Sequence, residues 1–456
     1  MLGRRLQRAG SVRASETRRW LAVAAKAKAI NRVRGTRDLL AEDSLQHREV
    51  LHVLQRTVAR YGFRSIQTPL LEYTDLFSRS LGDGSDIVMK EMYTFKDNSG
   101  KSVTLRPEGT AGIMRALVSS NLLFSLPQKV SYSGSMFRYE RPQRGRYREF
   151  QQFGVEFVGS SGPSVDAEVI AMAADALEVL GIKDKVVLEL NSLGDNESRA
   201  RYRTALVAFF SKCKDDLSSD SINRLERGSV LRILDSKSEI DQKVIVGAPQ
   251  LSDFLTDDSK ARFENVLSGL DALGIAYRQN LHLVRGLDYY SNTVFEFVEK
   301  RASDASDMEE TTGAGIAVLA GGCYDGLAES LGGPVTACIG WAAGVDRLNL
   351  LREMPTEKMF SVAVVPVLAG DDSNRVLHAA MSVAQTLRQR GLTVHFCHGR
   401  GNMKKQMKVA AERYGSTHAV ILGGAEIEQQ CVKVKNLDKR EEAEVPMEEL
   451  GSFEFR

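Results

Sequence analysis

The chain has 456 residues, 43% hydrophobic and 26% charged, an ordinary globular composition that at about 150 residues per domain suggests roughly three units and excludes collagen-like, coiled-coil and disordered chains. The apolar run around Val362–Ala369 falls far short of the ~18 residues of a membrane span, so no membrane partner is expected. The net charge of +2 hides an asymmetry, because residues 1–30 carry eight Lys or Arg against one acid and the rest carries 53 basic against 58 acidic residues.

Residues 1–30 are rich in Arg and Ala and have no secretory hydrophobic core, which fits an organelle transit peptide; a solvated basic arm touching nucleic acid is the alternative. Asn31–Leu40 reads as a loop. Ala41–Tyr61 reads as a helix, with Leu45, Val50, Val53, Leu54 and Val58 on its apolar face and Gly62 ending it. Phe63–Leu71 reads as a strand in which Pro69, lacking an amide donor, suits an edge or a subunit contact. Met92–Lys96, Ser102–Arg106, Val130–Tyr139 and Glu149–Val158 are strand-like runs between Gly, Asn, Asp or Pro punctuation and argue for an antiparallel sheet.

From about residue 195 to 280 the pattern turns charged and helical, with Tyr202, Leu206, Phe209 and Phe210 at helical spacing, as an inserted helical module would show. Strands are expected again at Leu281–Val284 and Thr293–Val298, then a helix over Trp341–Leu351. A linker follows around Pro355. Beyond it, Ser361–Val367, a helix over Arg375–Gln389, Leu392–Phe396, a basic helix over Met403–Arg413 and His418–Gly424 alternate strand and helix, which makes residues 360–456 a separate α/β domain.

Five cysteines are an odd, scattered set without a C-x-x-C pair, so neither a disulfide framework nor a zinc knuckle is indicated. His395 and Cys397 share a strand face beside His398 but have no fourth ligand, so strand packing is favoured and no metal site is expected. Gly100-Lys101-Ser102 has Phe95 where a phosphate loop needs glycine, and Gly313-Ala314-Gly315 has Val318 at the third glycine position of a dinucleotide fingerprint. A nucleophile elbow is also missing. The densest signal is Gly134–Gly159. Its five arginines from Arg138 to Arg148 are interleaved with aromatics about a turn at Pro142 and Gly145, and Gln152 and Glu156 point to one face of the returning strand. Such a hairpin suits a zwitterionic substrate beside a polyphosphate.

Arg138-Tyr-Glu-Arg-Pro-Gln143 with Gly145-Arg-Tyr-Arg148 resembles the second signature of class II aminoacyl-tRNA synthetases in the form used by histidyl-tRNA synthetases. Arg106-Pro-Glu-Gly-Thr110, Asn191-Ser-Leu-Gly194, Leu283-Val-Arg-Gly-Leu-Asp-Tyr-Tyr290, Thr293-Val-Phe-Glu-Phe297 and Gly340-Trp-Ala-Ala-Gly-Val-Asp-Arg347 match the same family in order, from about Val33 to the C-terminal domain. The resemblance implies an α+β class II core, an antiparallel sheet flanked by helices, over residues 31–354, with the helical insertion and a C-terminal α/β anticodon-binding domain. It also implies an ATP-dependent histidine–tRNA ligase that makes histidyl-adenylate and pyrophosphate and then charges tRNA(His), working as a homodimer through the Pro69 segment, with Mg2+ on the ATP phosphates. The amino acid's own carboxylate is then the nucleophile, which agrees with the missing nucleophile motifs.

By matching motif, the resemblance implies that Arg138 grips the α-phosphate, Arg146 and Arg347 hold the outer phosphates, and Arg285 contacts both the histidine carboxylate and the α-phosphate. Glu108, Thr110 and Gln152 would receive the ammonium, Glu156 and Tyr290 would read the imidazole, and Tyr289 and Tyr324 would line the pocket. Arg141 and Gln143 at the hairpin tip would approach the tRNA acceptor end, and Arg400, Lys404, Lys405 and Lys408 lie in the anticodon-binding domain. Gly321, Gly322 and Gly344 are expected at close approaches. Two positions depart from the pattern: Cys323 stands where many members carry Arg, and Asp346 where Glu is common. The Arg106–Thr110 motif is of the bacterial style, which with the leader points to a mitochondrial or plastid enzyme; cytoplasm is the alternative compartment. A non-catalytic synthetase-like regulatory subunit of histidine biosynthesis is the second reading, which typically lacks the anticodon domain.

Overall fold

The structure, a computed structural model, describes residues 30–82, 85–234, 236, 238–281, 283–284, 289–300, 316–353, 360–368, 372–398 and 402–455. The basic leader up to residue 29, Arg285, Gly313–Gly315, the Pro355 linker and Arg400 lie outside the described residues. The chain divides into two compact units, Met1–Glu353 and Met354–Arg456.

In the first unit the elements run α1 (Ala41–Arg60), β1 (Arg64–Ser65), β2 (Leu71–Tyr73), α2 (Thr74–Leu81), β3 (Tyr93–Lys96), β4 (Ser102–Leu105), α3 (Thr110–Ser119), β5 (Gln128–Phe137), β6 (Glu149–Val158), α4 (Pro163–Val179) and β7 (Val186–Ser192). There follow α5 (Asn196–Lys212), α6 (Ser219–Glu226), α7 (Glu239–Ile245), α8 (Asp257–Ala272), β8 (Arg278–Gln279), β9 (Ser291–Glu299), β10 (Ala317–Cys323), α9 (Leu327–Ser330), β11 (Cys338–Gly344) and α10 (Val345–Leu351). An eight-stranded sheet has the order β1-β5-β6-β11-β10-β9-β7-β8. Its six inner strands are antiparallel to their neighbours, while the two-residue strands β1 and β8 pair parallel at the edges. A separate three-stranded sheet has the order β2-β4-β3.

Period-two alternation gives β6 two different faces. Phe153, Val155 and Phe157 point into the main core, where they meet Val50, Leu54 and Val58 of α1 and Ala173 and Leu177 of α4. Each such fully buried side chain contributes about 1.5–3 kcal/mol by leaving water. Gln152 and Glu156 point the other way. The helices α5–α7 enclose a core of their own, in which Tyr202, Leu206 and Phe210 pack with Val230, Ile233 and Ile245, joined by Val294 of β9 and by Tyr290 just before it, whereas α8 sends Val266 and Leu270 into the main core.

Three expected elements differ. Phe63–Leu71 is not one strand: β1 ends at Ser65, and after Pro69 the chain joins the other sheet as β2. Among the described residues of 281–284 there is no strand; the short edge strand precedes them at Arg278–Gln279. Trp341 belongs to strand β11 rather than to a helix, which starts only at Val345.

The second unit contains β12 (Val362–Pro366), α11 (Ser373–Gln389), β13 (Val394–Phe396), α12 (Met403–Lys408), β14 (His418–Leu422), α13 (Gly424–Glu428), β15 (Cys431–Asn436) and β16 (Glu442–Pro446), with sheet order β13-β12-β14-β15-β16. Val362, Val364, Val420 and Leu422 pack against Ala380, Val383 and Leu387 of α11, and Ala363, Val365, Ala419 and Ile421 face Ala410 on the other side. The Asn402 side chain caps α12 by accepting from the Lys405 amide at 2.9 Å, and Lys404, Lys405 and Lys408 are exposed while Gln406 turns inward. His395 is stacked on Tyr414 at 4.7 Å, as strand packing predicts. Among the described residues no helix is long and apolar enough to cross a membrane.

Candidate active site

On the polar face of β6, Glu156 is 2% exposed, and burial pushes its carboxyl up to about 8 from an ordinary 4.5, against the opposing hydrogen bond from Tyr324. The Tyr324 hydroxyl donates to Oε2 of Glu156, and Oε1 has no hydrogen-bond partner among the described residues. Room for the carboxylate comes from the facing strand. Gly340 is the register partner of Glu156, and a Cβ on it would lie 2.0 Å from Oε2. Gly321 and Gly322 are likewise close approaches, where a Cβ would lie 2.2 Å from the Gly340 carbonyl and 2.6 Å from that of Thr293. Gly344 is not one, because its nearest contacts would be ordinary ones at 3.5 Å to Arg347.

Aromatic side chains close the rest of this pocket. Tyr289 packs on Tyr290 with ring centres 4.7 Å apart and on Tyr324 at 5.6 Å. Glu108, also buried, accepts at Oε2 from the Thr110 amide (2.7 Å) and at Oε1 from the Ala111 amide (2.8 Å), so it closes the first turn of α3. Burial raises its pKa and those two amides oppose the rise. Gln152 is half-buried, with Oε1 unpartnered among the described residues.

Beside the pocket stand three arginines from two elements. Arg138, at the end of β5, donates from Nε to the Pro107 carbonyl at 2.9 Å. Arg146, on the hairpin between β5 and β6, reaches Glu140 at 3.3 Å. Arg347, on α10, donates from Nε to the Gly145 carbonyl (3.1 Å) and from Nη1 to the Ala317 carbonyl (2.7 Å). Burial, and then the nearby charges of Arg146 and Arg138, lower the Arg347 pKa to about 10. Three guanidinium groups gathered in this way form a site for a multiply charged anion. The described residues contain no cluster of three potential metal ligands. Arg141 and Gln143 are exposed at the hairpin tip, where Gln143 and Arg146 pair backbone to backbone.

The structure therefore brings Glu108, Thr110, Gln152, Glu156, Tyr289, Tyr290 and Tyr324 to one pocket and Arg138, Arg146 and Arg347 to its border; Arg285 lies outside the described residues. Sequence reasoning missed Tyr132. Its ring fills the space that side chains at Gly109 and Gly154 would take, at 2.1 Å and 2.4 Å from their Cβ positions, and its buried hydroxyl has no partner among the described residues. The available signal was register: Tyr132 on β5 sits opposite Gly154 on β6.

Comparison with known proteins shows the family and the fold. Residues 35–348 match the family model described as histidyl-tRNA synthetase, and residues 361–453 match an anticodon binding domain. A histidine–tRNA ligase of Gluconacetobacter diazotrophicus is 48% identical over 421 residues, 92% of this chain and 97% of that protein. The apo histidyl-tRNA synthetase of S. aureus superposes with a TM-score of 0.74 at 36% identity, covering 93% of this chain and 99% of that one. A Bacillus halodurans protein described as an ATP phosphoribosyltransferase regulatory subunit/histidyl-tRNA synthetase shares the fold, with a TM-score of 0.62 at 21% identity over 88% of this chain and 100% of that one.

Proposed function

The chain belongs to the histidyl-tRNA synthetase family, and on that premise we infer that it is a histidine–tRNA ligase, activating L-histidine with ATP and passing the histidyl group to the 3′ end of tRNA(His). The observation that carries this reading is the juxtaposition of a buried Glu156 ringed by tyrosines with the Arg138–Arg146–Arg347 cluster. One half suits a small ring bearing hydrogen-bonding nitrogens and the other a triphosphate.

In the first step a carboxylate oxygen of histidine attacks the α-phosphorus, the bond from that phosphorus to the bridging oxygen breaks, and pyrophosphate leaves. In the second, a ribose hydroxyl of the tRNA attacks the acyl carbon and AMP leaves. Neither step needs a protein nucleophile. Catalysis rests on holding two anions in line and on neutralising charge as it grows. Arg138 would grip the α-phosphate, and Arg146 and Arg347 the outer phosphates. Arg285, between the described Val284 and Tyr289, is assigned by family motif to the histidine carboxylate and the α-phosphate. Thr110, Gln152 and Glu108 would receive the ammonium, while Glu156 and Tyr290 read the imidazole and Tyr289 and Tyr324 wall it. A pocket built to hydrogen-bond a ring rejects apolar isosteres strongly. Mg2+ would arrive on the ATP phosphates, keeping most of its own water, and would supply an offset to phosphate charge.

Arg141 and Gln143 would approach the tRNA acceptor end, and Lys404, Lys405 and Lys408, with Arg400, its anticodon arm. Residues 31–354 would form the catalytic domain with a helical insertion at about 195–280, and residues 360–456 the anticodon-binding domain. A homodimer is supported by exposed apolar side chains around Pro69: Leu70, Leu71, Tyr73 and Phe95 are each at least 45% exposed. An organelle address, mitochondrial or plastid, rests on the basic composition of residues 1–30, and cytoplasm is the other compartment considered. The regulatory-subunit reading has less support, because the chain matches an anticodon binding domain and keeps the arginine cluster.

Histidine-dependent ATP–pyrophosphate exchange and charging of purified tRNA(His) test the reading. Exchange with histidine alone among the amino acids is expected; exchange driven by another amino acid, or none at all, would overturn it.

A further inference from the structure

Asp346 directly precedes Arg347 and is 6% exposed, and a carboxylate so buried persists only with several partners. It has three. Its Oδ1 accepts from Nη2 of Arg37 and lies 3.1 Å from Nε2 of His47, while its Oδ2 accepts from the Gln151 amide at 3.0 Å. Burial works to raise the Asp346 pKa, and these partners outweigh it and hold the carboxyl below its usual range. Arg37 comes from the loop ahead of α1, 309 residues away in sequence, and its guanidinium lies over the Tyr147 ring at 4.5 Å. The same loop takes the Arg148 amide on the Gly35 carbonyl at 2.8 Å.

The hairpin is thus held from two sides. Arg347 grips it at Gly145, and Arg37, braced on Asp346, grips it at Tyr147. Between those two points stands Arg146, whose side chain is 40% exposed and reaches Glu140 at 3.3 Å. We propose that Arg37 is a positioning residue for the triphosphate: anchored on Asp346, it fixes Tyr147 and thereby aims Arg146 at the outer phosphates. The inference rests on the ligase reading and adds to it a residue with no contact to substrate.

The test is histidine-dependent ATP–pyrophosphate exchange by the full-length protein and its Arg37→Met variant. Misplacing a charged group by about 1 Å can cost up to about a hundredfold, and loss of one remote brace is expected to raise KM for ATP about tenfold with KM for histidine within about twofold. Arg37→Lys, which keeps the ion pair, should recover most of the loss. Tyr147→Leu should give the same ATP effect, and the double variant should be no worse than either single one. Should Arg37→Met fold poorly, Tyr147→Leu with Arg37→Lys carries the same comparison. An unchanged KM for ATP in active variants, equal increases in both KM values, or additive effects would overturn the proposal. A wild-type protein without exchange would instead sink the ligase reading, and this inference with it.

Discussion

The phenol of Tyr324 on the turn after β10 donates its hydrogen bond to Oε2 of Glu156 on β6, and the two side chains are 1% and 2% exposed. Glu156 is thereby held in one orientation with its other oxygen left for a ligand. Tyr324→Phe removes that donor and strands a buried acceptor, which costs about 1–3 kcal/mol. The expected outcome is an increase of roughly tenfold in KM for histidine with KM for ATP unchanged, read by pyrophosphate exchange. Equal affinity for histidine would remove the pair from substrate recognition.

Arg347 holds the hairpin through its forked group, and in the proposed ligase the same group would face the phosphates. Arg347→Ala should lower the exchange rate by about 10²–10³, the usual loss when a donor aimed at developing charge is removed. Lysine should rescue little, since a single ammonium cannot reach Gly145 and Ala317 together and still meet phosphate. Full rescue by Arg347→Lys would mean that charge alone matters there.

The raised carboxyl of Glu156 has a consequence for stability. Its folded value is about 8 against 4.5 for an ordinary carboxyl, so between those values the folded chain binds a proton that the unfolded chain has released. The stabilisation is complete below about pH 4.5 and is lost as pH rises through about 8. Urea unfolding of wild type and Glu156→Gln across that window should show the wild type losing stability relative to the variant as pH rises. Parallel curves would mean that Glu156 is not protonated in the folded protein.

A chain ending at Glu353, where the first unit ends, should keep adenylate formation within about twofold while charging of tRNA(His) near 0.15 M salt falls about a hundredfold, as loss of several phosphate contacts would cause. Charging at the full rate by the shortened chain would take the C-terminal unit out of tRNA recognition.

Much of this was legible because the local pattern and the fold agree. Phe153, Val155 and Phe157 alternate with Gly154 and Glu156, so the strand Glu149–Val158 could be read, and the arginines beside it announced a charged hairpin. Trp341–Gly344 reads as the start of the following helix because both faces of its strand are covered; a run apolar on both sides carries no period to tell strand from helix. The β15–β16 hairpin was overlooked although Val432 and Val434 alternate with polar residues, since charged residues between the strands masked its turn. Phe63–Leu71 failed for a different reason: Pro69 marks not the edge of one strand but the passage from one sheet to another. The roles of Arg37 and His47 were beyond reach, because what they do depends on a carboxylate some three hundred residues downstream.

Gly340 and Glu156 occupy, in effect, a single parcel of space shared between adjacent strands. A methyl group at 340 would press on the Glu156 carboxylate and, at 2.3 Å, on the backbone carbonyl of Val155 as well, so shortening residue 156 alone would not make room for it. Position 340 is therefore closed to every side chain whatever stands at 156, and the glycine keeps the carboxylate's berth open through any drift of its neighbours.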